Sequence, residues 1–290
     1  MTFVLHFRKM FGNFFETNDV DSGAVLDNRR HSTDCNSKEE TKGKVYLIGA
    51  GPGDPELLTV KAHRLIQQAD VILIDWLVGD ALYPLFPDHA ERIFVGKKCG
   101  KHSMKQDDIN ALMVKKAQSG ATVVRLKGGD PSIFGRLAEE TDTLTQCGVP
   151  FAVIPGVTAA SGVAAYSGIP LTHRECSQSV KFVTAHLKDG SMGADWSHLA
   201  KDPSTLVFYM GLNRVSQIQD ALVKHGMRAT MPIAVVDQGT TQNQQVVCST
   251  LDDLNAKEAL KDFAGPALIV VGEVVSRRQA VDLALLYQTA

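Results

Sequence analysis

The chain has 290 residues, 44% of them hydrophobic and 21% charged, with a formal net charge of −2. That composition belongs to a soluble globular protein of one large or two medium domains, and nothing in the balance of charge points to nucleic acid or a membrane surface. No apolar run is long enough to span a bilayer.

Residues 1–43 stand apart. Phe3, Phe7, Phe11, Phe14 and Phe15 can share one helical face, and a polar stretch rich in Asn, Asp, Ser and Thr follows. His6, Arg8 and Lys9 interrupt the apolar part, which argues against a signal peptide. The segment is read as a disordered extension with one short helix. From Lys44 onward, strand and helix patterns alternate. Val45–Ile48 reads as a strand, and Glu56–Ala69 as a helix with Asp54 as its cap and Pro55 at its first position. Further strands are expected at 71–74, 93–95, 122–126 and 151–154, with helices at 106–118 and 134–146. Buried strands joined by helices imply a mostly parallel sheet, so 44–155 is taken as an N-terminal α/β domain. Past Pro155 comes a small-residue helix, 157–166, then strands at 180–184, 205–209, 233–236, 245–248 and 267–271. The short connections favour a mixed sheet in a C-terminal α/β domain, 156–280, with a tail at 281–290. The five cysteines, Cys35, Cys99, Cys147, Cys176 and Cys248, form no CxxC pair, so neither a metal site nor a disulfide framework is expected, and a reducing cytoplasm suits them.

Three glycine-rich segments carry the chemistry. Val124–Pro131 ends a β-branched run in Gly128-Gly129-Asp130, where bare backbone can approach a ligand closely. Gly49–Asp54 ends the first strand, and Pro155–Gly162 follows the fifth. The first of these in the chain invites a dinucleotide-binding reading, with Asp75 as the ribose acid. That reading fails, because Asp54 stands where the third glycine should be and Pro52 lacks an amide donor. No phosphate-loop lysine pattern is present.

Taken together, these residues resemble the uroporphyrinogen-III C-methyltransferases of the tetrapyrrole methylase family. The resemblance rests on Gly49–Leu58, Val95-Gly96-Lys97 with Gly100, His102, Gln106 and Asn110, Gly128–Arg136 and Pro155–Gly162. It continues through Gly168–Arg174, Val180–Lys188, Phe208–Gly211 and Gly272–Val275. It implies the family's α/β fold, two α/β domains with S-adenosyl-L-methionine in the cleft between them. It implies methylation of uroporphyrinogen III at C2 and C7, giving precorrin-2 through precorrin-1, by a cytoplasmic homodimer without metal. On the same basis the cofactor contacts are Pro52, Gly128, Gly129, Asp130, Ile133, Thr158, Ala159, Met210 and Gly239, with the Asp130 carboxylate near the cofactor's polar end. Asp75 and Lys97 match the family's proton acceptor and donor, and positioning the substrate is the rival role for both.

A substrate bearing many carboxylates calls for cations, and arginine forms the best planar forks. Arg136 and Arg174 are therefore taken as substrate contacts, with Lys188, His173 and His186 as polar pocket candidates. Glu139 either accepts a pyrrole N–H or holds Arg136 by an i, i+3 pair. The chain departs from the family pattern at Ser132, Trp76 and Leu137-Ala138, and a leucine there is expected to shift Arg136 or narrow the pocket. The rival readings are a methylase of a later corrinoid intermediate and a non-catalytic tetrapyrrole-binding relative.

Overall fold

A computed structural model describes residues 43–96, 104–185 and 193–287. Lys97, His102, His186, Lys188 and the segment 1–42 lie outside the described residues. Within them, ten strands form two five-stranded sheets.

The first sheet contains β1 (Lys44–Gly49), β2 (Val71–Ile74), β3 (Glu91–Phe94), β4 (Thr122–Lys127) and β5 (Phe151–Ile154), in the order β3-β2-β4-β1-β5. Every pairing in it is parallel. The interior strands read as continuous apolar runs because both faces are covered; all four residues of β2 are buried. Successive side chains point to opposite faces. Ile48, Ile74 and Leu126 pack with Leu65 and Ile66 of α1 (Val60–Ile66). Leu47, Leu73 and Val123 pack with Met113 of α2 (Gln106–Gln118) and Leu144 of α3 (Leu137–Gln146).

Two helices of the first half begin later than their apolar periodicity predicts. The helix expected over 56–69 breaks into a 3₁₀ turn, Pro55–Leu57, and α1. Asp54 caps the turn through Glu56 N–H, and Thr59 caps α1 through Ala62 N–H. The helix expected from Phe134 starts at Leu137, because Phe134 (φ 53°) and Arg136 (φ 55°) are left-handed.

The second sheet contains β6 (Val180–Thr184), β7 (Thr205–Tyr209), β8 (Pro232–Asp237), β9 (Gln245–Thr250) and β10 (Ala267–Val271), ordered β6-β7-β10-β8-β9. β6 and β7 are parallel and the other pairs antiparallel. One face packs Phe208, Ile233 and Ile269 against Ile218 and Leu222, which come from a helix over Val215–Lys224. The other face packs Val207, Val236 and Val270 against Ala160 and Val163 of α4 (Ala159–Ser167). The helix that follows β5 is thus part of the second sheet's core. No helix of the described residues is long and apolar enough to cross a membrane.

Candidate active site

Parallel strands put their C-terminal ends on one edge of a sheet, which is where α/β proteins bind ligands. Here the ends of β1 (Gly51, Pro52), β2 (Asp75, Trp76, Leu77) and β4 (Gly128–Asp130) line a cavity of about 520 Å³. Its walls also include Thr158 and Ala159, Tyr209 at the end of β7 with Met210 after it, Gly239 after β8, and Ala264–Leu268 leading into β10. The volume falls within the range of roughly 300–1,000 Å³ usual for small-molecule sites.

The three glycine-rich segments meet behind this cavity. Gly51 and Gly129 exchange both backbone hydrogen bonds, N–H to O at 3.2 and 2.7 Å. A Cβ on Gly156 would lie 2.3 Å from the Gly129 carbonyl oxygen and 2.8 Å from Gly49 Cα, so only glycine fits. The Asp130 carboxylate closes the cluster. Its Oδ2 accepts from Gly156 N–H at 3.0 Å, and its Oδ1 accepts from Ser132 N–H at 2.8 Å and from the Ser132 hydroxyl. Asp130 therefore lines the cavity while its carboxylate staples the loops. Ser132, a departure from the family pattern, has a direct part in that staple.

Five non-glycine residues among those described have left-handed backbone: Phe134, Arg136, Met210, Gln238 and Thr240. Three line the cavity, and Gln238 and Thr240 flank Gly239, which does. Such conformations cost about 1 kcal/mol or more each and collect where structure is spent on function. The loop Ala264–Gly265 is held by the buried Asp237, whose carboxylate accepts from Ala264 N–H at 3.1 Å and Gly265 N–H at 2.6 Å.

Tyr209 links the two sides of the cavity. Its hydroxyl lies 2.8 Å from Thr158 Oγ1 and accepts from Ala160 N–H at 3.1 Å. That use of the Thr158 hydroxyl explains why Thr158 heads α4 without a side-chain cap. Burial, with nearby Asp130, raises the Tyr209 phenol above its ordinary pKa against the pull of those two hydrogen bonds, so it is neutral. Its ring sits 5.0 Å from Phe134 and 5.7 Å from Phe182, both partly exposed.

Charge lies under the cavity floor. Arg125 and Lys127 are buried in the central strand β4, and Arg125 Nη2 donates to Asp75 Oδ2 at 2.7 Å. Asp75 Oδ1 accepts from Trp76 N–H at 2.7 Å. Burial, then the neighbouring Arg125, pushes Lys127 below the usual lysine range, while the adjoining Glu140 opposes that shift.

All nine residues expected to contact a cofactor line this one cavity, as do Asp75 and Arg136. Glu139 sits beside them, its carboxylate paired with Arg136 Nε at 2.8 Å and with Nη2. Arg174 is exposed and His173 half-buried, and neither lines the cavity. Leu137 corrects an expectation: its side chain packs on the core beneath α2 and α3 and does not narrow the pocket. The residues sequence reasoning missed are Arg125, Lys127, Glu140, Tyr209 and the Asp237-held loop. Two cations inside an apolar strand that ends in Gly-Gly were the available signal.

Residues 44–255 match the model of the Tetrapyrrole (Corrin/Porphyrin) Methylases. The chain belongs to this family. The methylase is 52% identical over 247 residues to a siroheme synthase of Vesicomyosocius okutanii, covering 85% of its own length and 53% of that protein. It thus spans about half the length of the curated relatives it matches. Among solved structures, it is similar to the uroporphyrin-III C-methyl transferase of Thermus thermophilus complexed with S-adenyl homocysteine, at 40% identity and a TM-score of 0.70. That match covers 81% of the methylase and 100% of the Thermus chain. A cobalt precorrin-4 methyltransferase aligns at 29% identity and a TM-score of 0.72, over 83% of the methylase and 99% of that chain.

Proposed function

We propose that this methylase transfers methyl groups from S-adenosyl-L-methionine to C2 and C7 of uroporphyrinogen III, giving precorrin-2 through precorrin-1 and two S-adenosyl-L-homocysteine. The observation that carries the reading is the convergence of all nine expected cofactor residues on one cavity. Similarity to the whole length of a Thermus enzyme solved with the demethylated cofactor, over 81% of this chain, supports it.

The cavity fits such a cofactor. Val163, Leu212, Val236 and Leu268 give apolar walls suited to adenine, and Gly128, Gly129 and Gly239 leave backbone open to it. A Cβ on Gly239 would lie 2.3 Å from Val163 Cγ2, so the wall is built around the absence of a side chain there. Bound, the cofactor supplies an electrophilic methyl on a sulfonium. The protein's part is to align the attacking ring carbon and to take up the proton that carbon's ring system then releases. Asp75, held from two sides and open to the cavity, is the acceptor in this reading, and Lys97 the donor. Arg136 offers a guanidinium at the mouth for a substrate carboxylate, and Glu139 holds it in place. Arg174 serves as a more distant carboxylate contact. The working form is a cytoplasmic homodimer.

The test is anaerobic incubation with enzymatically made uroporphyrinogen III and methyl-labelled cofactor, read by mass. Two added methyls on the tetrapyrrole bear the reading out. The likeness to a precorrin-4 methyltransferase favours one alternative, methylation of a later corrinoid intermediate. Transfer to such an acceptor, with none to uroporphyrinogen III, would replace the first reading with it. Cofactor or tetrapyrrole binding with no transfer to either acceptor would favour a non-catalytic relative.

A further inference from the structure

Glu140, on the first turn of α3, is fully buried and does not line the cavity. It nevertheless touches three side chains that do. Its Oε1 accepts from Arg125 Nε at 3.0 Å and Gln106 Nε2 at 3.2 Å, and its Oε2 accepts from Lys127 Nζ at 2.7 Å. Arg125 carries the chain onward to Asp75. Two carboxylates and two cations thus form one connected, charge-balanced network running from α3 through β4 to the end of β2.

Stability alone does not account for it. A buried ion network is often no more stable than an apolar replacement of the same volume, although removing one partner is costly. What the network does supply is orientation. A guanidinium is a rigid planar fork, so with one edge on Glu140 its other edge has a fixed direction toward Asp75. Lys127, pushed below the usual lysine range by burial and then by the neighbouring Arg125, has Glu140 opposing that shift.

We propose that Glu140 is a positioning residue of the transfer site: through Arg125 it fixes the direction of the Asp75 carboxylate. This rests on the methyl-transfer reading given above.

Glu140→Gln keeps the shape and removes the charge. The expected result is a loss of at least 30-fold in kcat, with KM for S-adenosyl-L-methionine and Kd for S-adenosyl-L-homocysteine within threefold of wild type. The double variant Asp75→Asn/Glu140→Gln should be no slower than Asp75→Asn alone, since both act on one carboxylate. A kcat within threefold of wild type, or losses that multiply in the double variant, would overturn the proposal. Should Glu140→Gln not fold, Arg125→Lys carries the same expectations, because an ammonium lacks the planar fork that fixes one donor's direction from the other. Should wild type transfer no methyl to uroporphyrinogen III, the reaction reading fails on its own. The positioning claim is then decided by a crystal structure of Glu140→Gln: Arg125 released from Asp75 upholds it, and the 2.7 Å contact retained overturns it.

Discussion

Tyr166 on α4 donates its phenolic hydrogen to Asp54 Oδ2 at 2.5 Å, joining residues 112 positions apart. Asp54 also accepts from Glu56 N–H, and its own N–H donates to Thr240 Oγ1 at 3.3 Å. One buried residue thereby ties the loop after β1 to α4 through its carboxylate and to the loop after β8 through its backbone N–H. Tyr166→Phe strands Asp54 Oδ2, and the expected loss is about 1–3 kcal/mol in denaturant unfolding. Tyr287→Phe is the contrasting case. The Tyr287 hydroxyl is buried with no hydrogen-bond partner among the described residues, and its ring lies 6.2 Å from that of Tyr166. Its removal should change stability by less than about 0.5 kcal/mol, or raise it slightly.

The same contact sets an alkaline dependence. Burial and Asp54 raise the Tyr166 phenol well above its ordinary value. In the folded state it therefore keeps its proton at pH values where the unfolded chain has released one. The stability it contributes is complete below pH about 10 and falls as pH rises from there toward the folded value. The difference in unfolding free energy between wild type and Tyr166→Phe should shrink above pH 10, and a constant difference up to pH 11.5 would contradict this.

Asp237 holds Ala264 and Gly265 against the cavity from inside the second sheet. Asp237→Ala leaves two backbone N–H groups without their acceptor, costing about 1–3 kcal/mol. Because that loop is a wall of the cavity, S-adenosyl-L-homocysteine should bind at least tenfold more weakly by calorimetry. Unchanged affinity would mean that the loop keeps its place without the carboxylate.

Gly156→Ala forces a Cβ into the carbonyl of Gly129, and backbone cannot yield as a side-chain tip can. The loops must part, with a cost of about 1–3 kcal/mol and loss of cofactor binding. Gly79→Ala is the control, since its nearest neighbour is the Gly53 carbonyl at 3.8 Å and its φ is −64°. It should leave binding unchanged.

Leu137→Gly restores a small residue at the start of α3. The leucine packs on the core and not on the cavity, so the change should destabilise by about 1–3 kcal/mol from lost apolar burial and helix propensity. Turnover should stay within threefold. A large gain in turnover would mean that the leucine constrains Arg136 after all.

Most strands were legible as β-branched or apolar runs bounded by glycine, proline or polar residues; β3 was less so, since Glu91 and Arg92 open it and the apolar pattern placed it at 93–95. The ends of the helices were less so. Phe134 and Arg136 look helical by spacing, and nothing in their chemistry announces a left-handed backbone, which tertiary packing imposes. Gly128 and Gly129 could be found because a β-branched run that ends in two glycines shows in the sequence, whereas Gly239, whose Cβ would meet Val163, came only with the family resemblance. The network under Asp75 could not, because Arg125, Lys127 and Glu140 become partners only when α3 docks on β4. Arg174 shows the converse: its motif was visible, but no pattern tells which way an exposed loop side chain turns.

The left-handed residues around the cavity bear on how this chain can change. Met210→Gly or Phe134→Gly would relax the backbone and remove the side chain in the same step. Screens for thermal tolerance should therefore favour substitutions at these positions that selection for turnover rejects, and the rim of the cavity is where a hardened variant would first lose its chemistry.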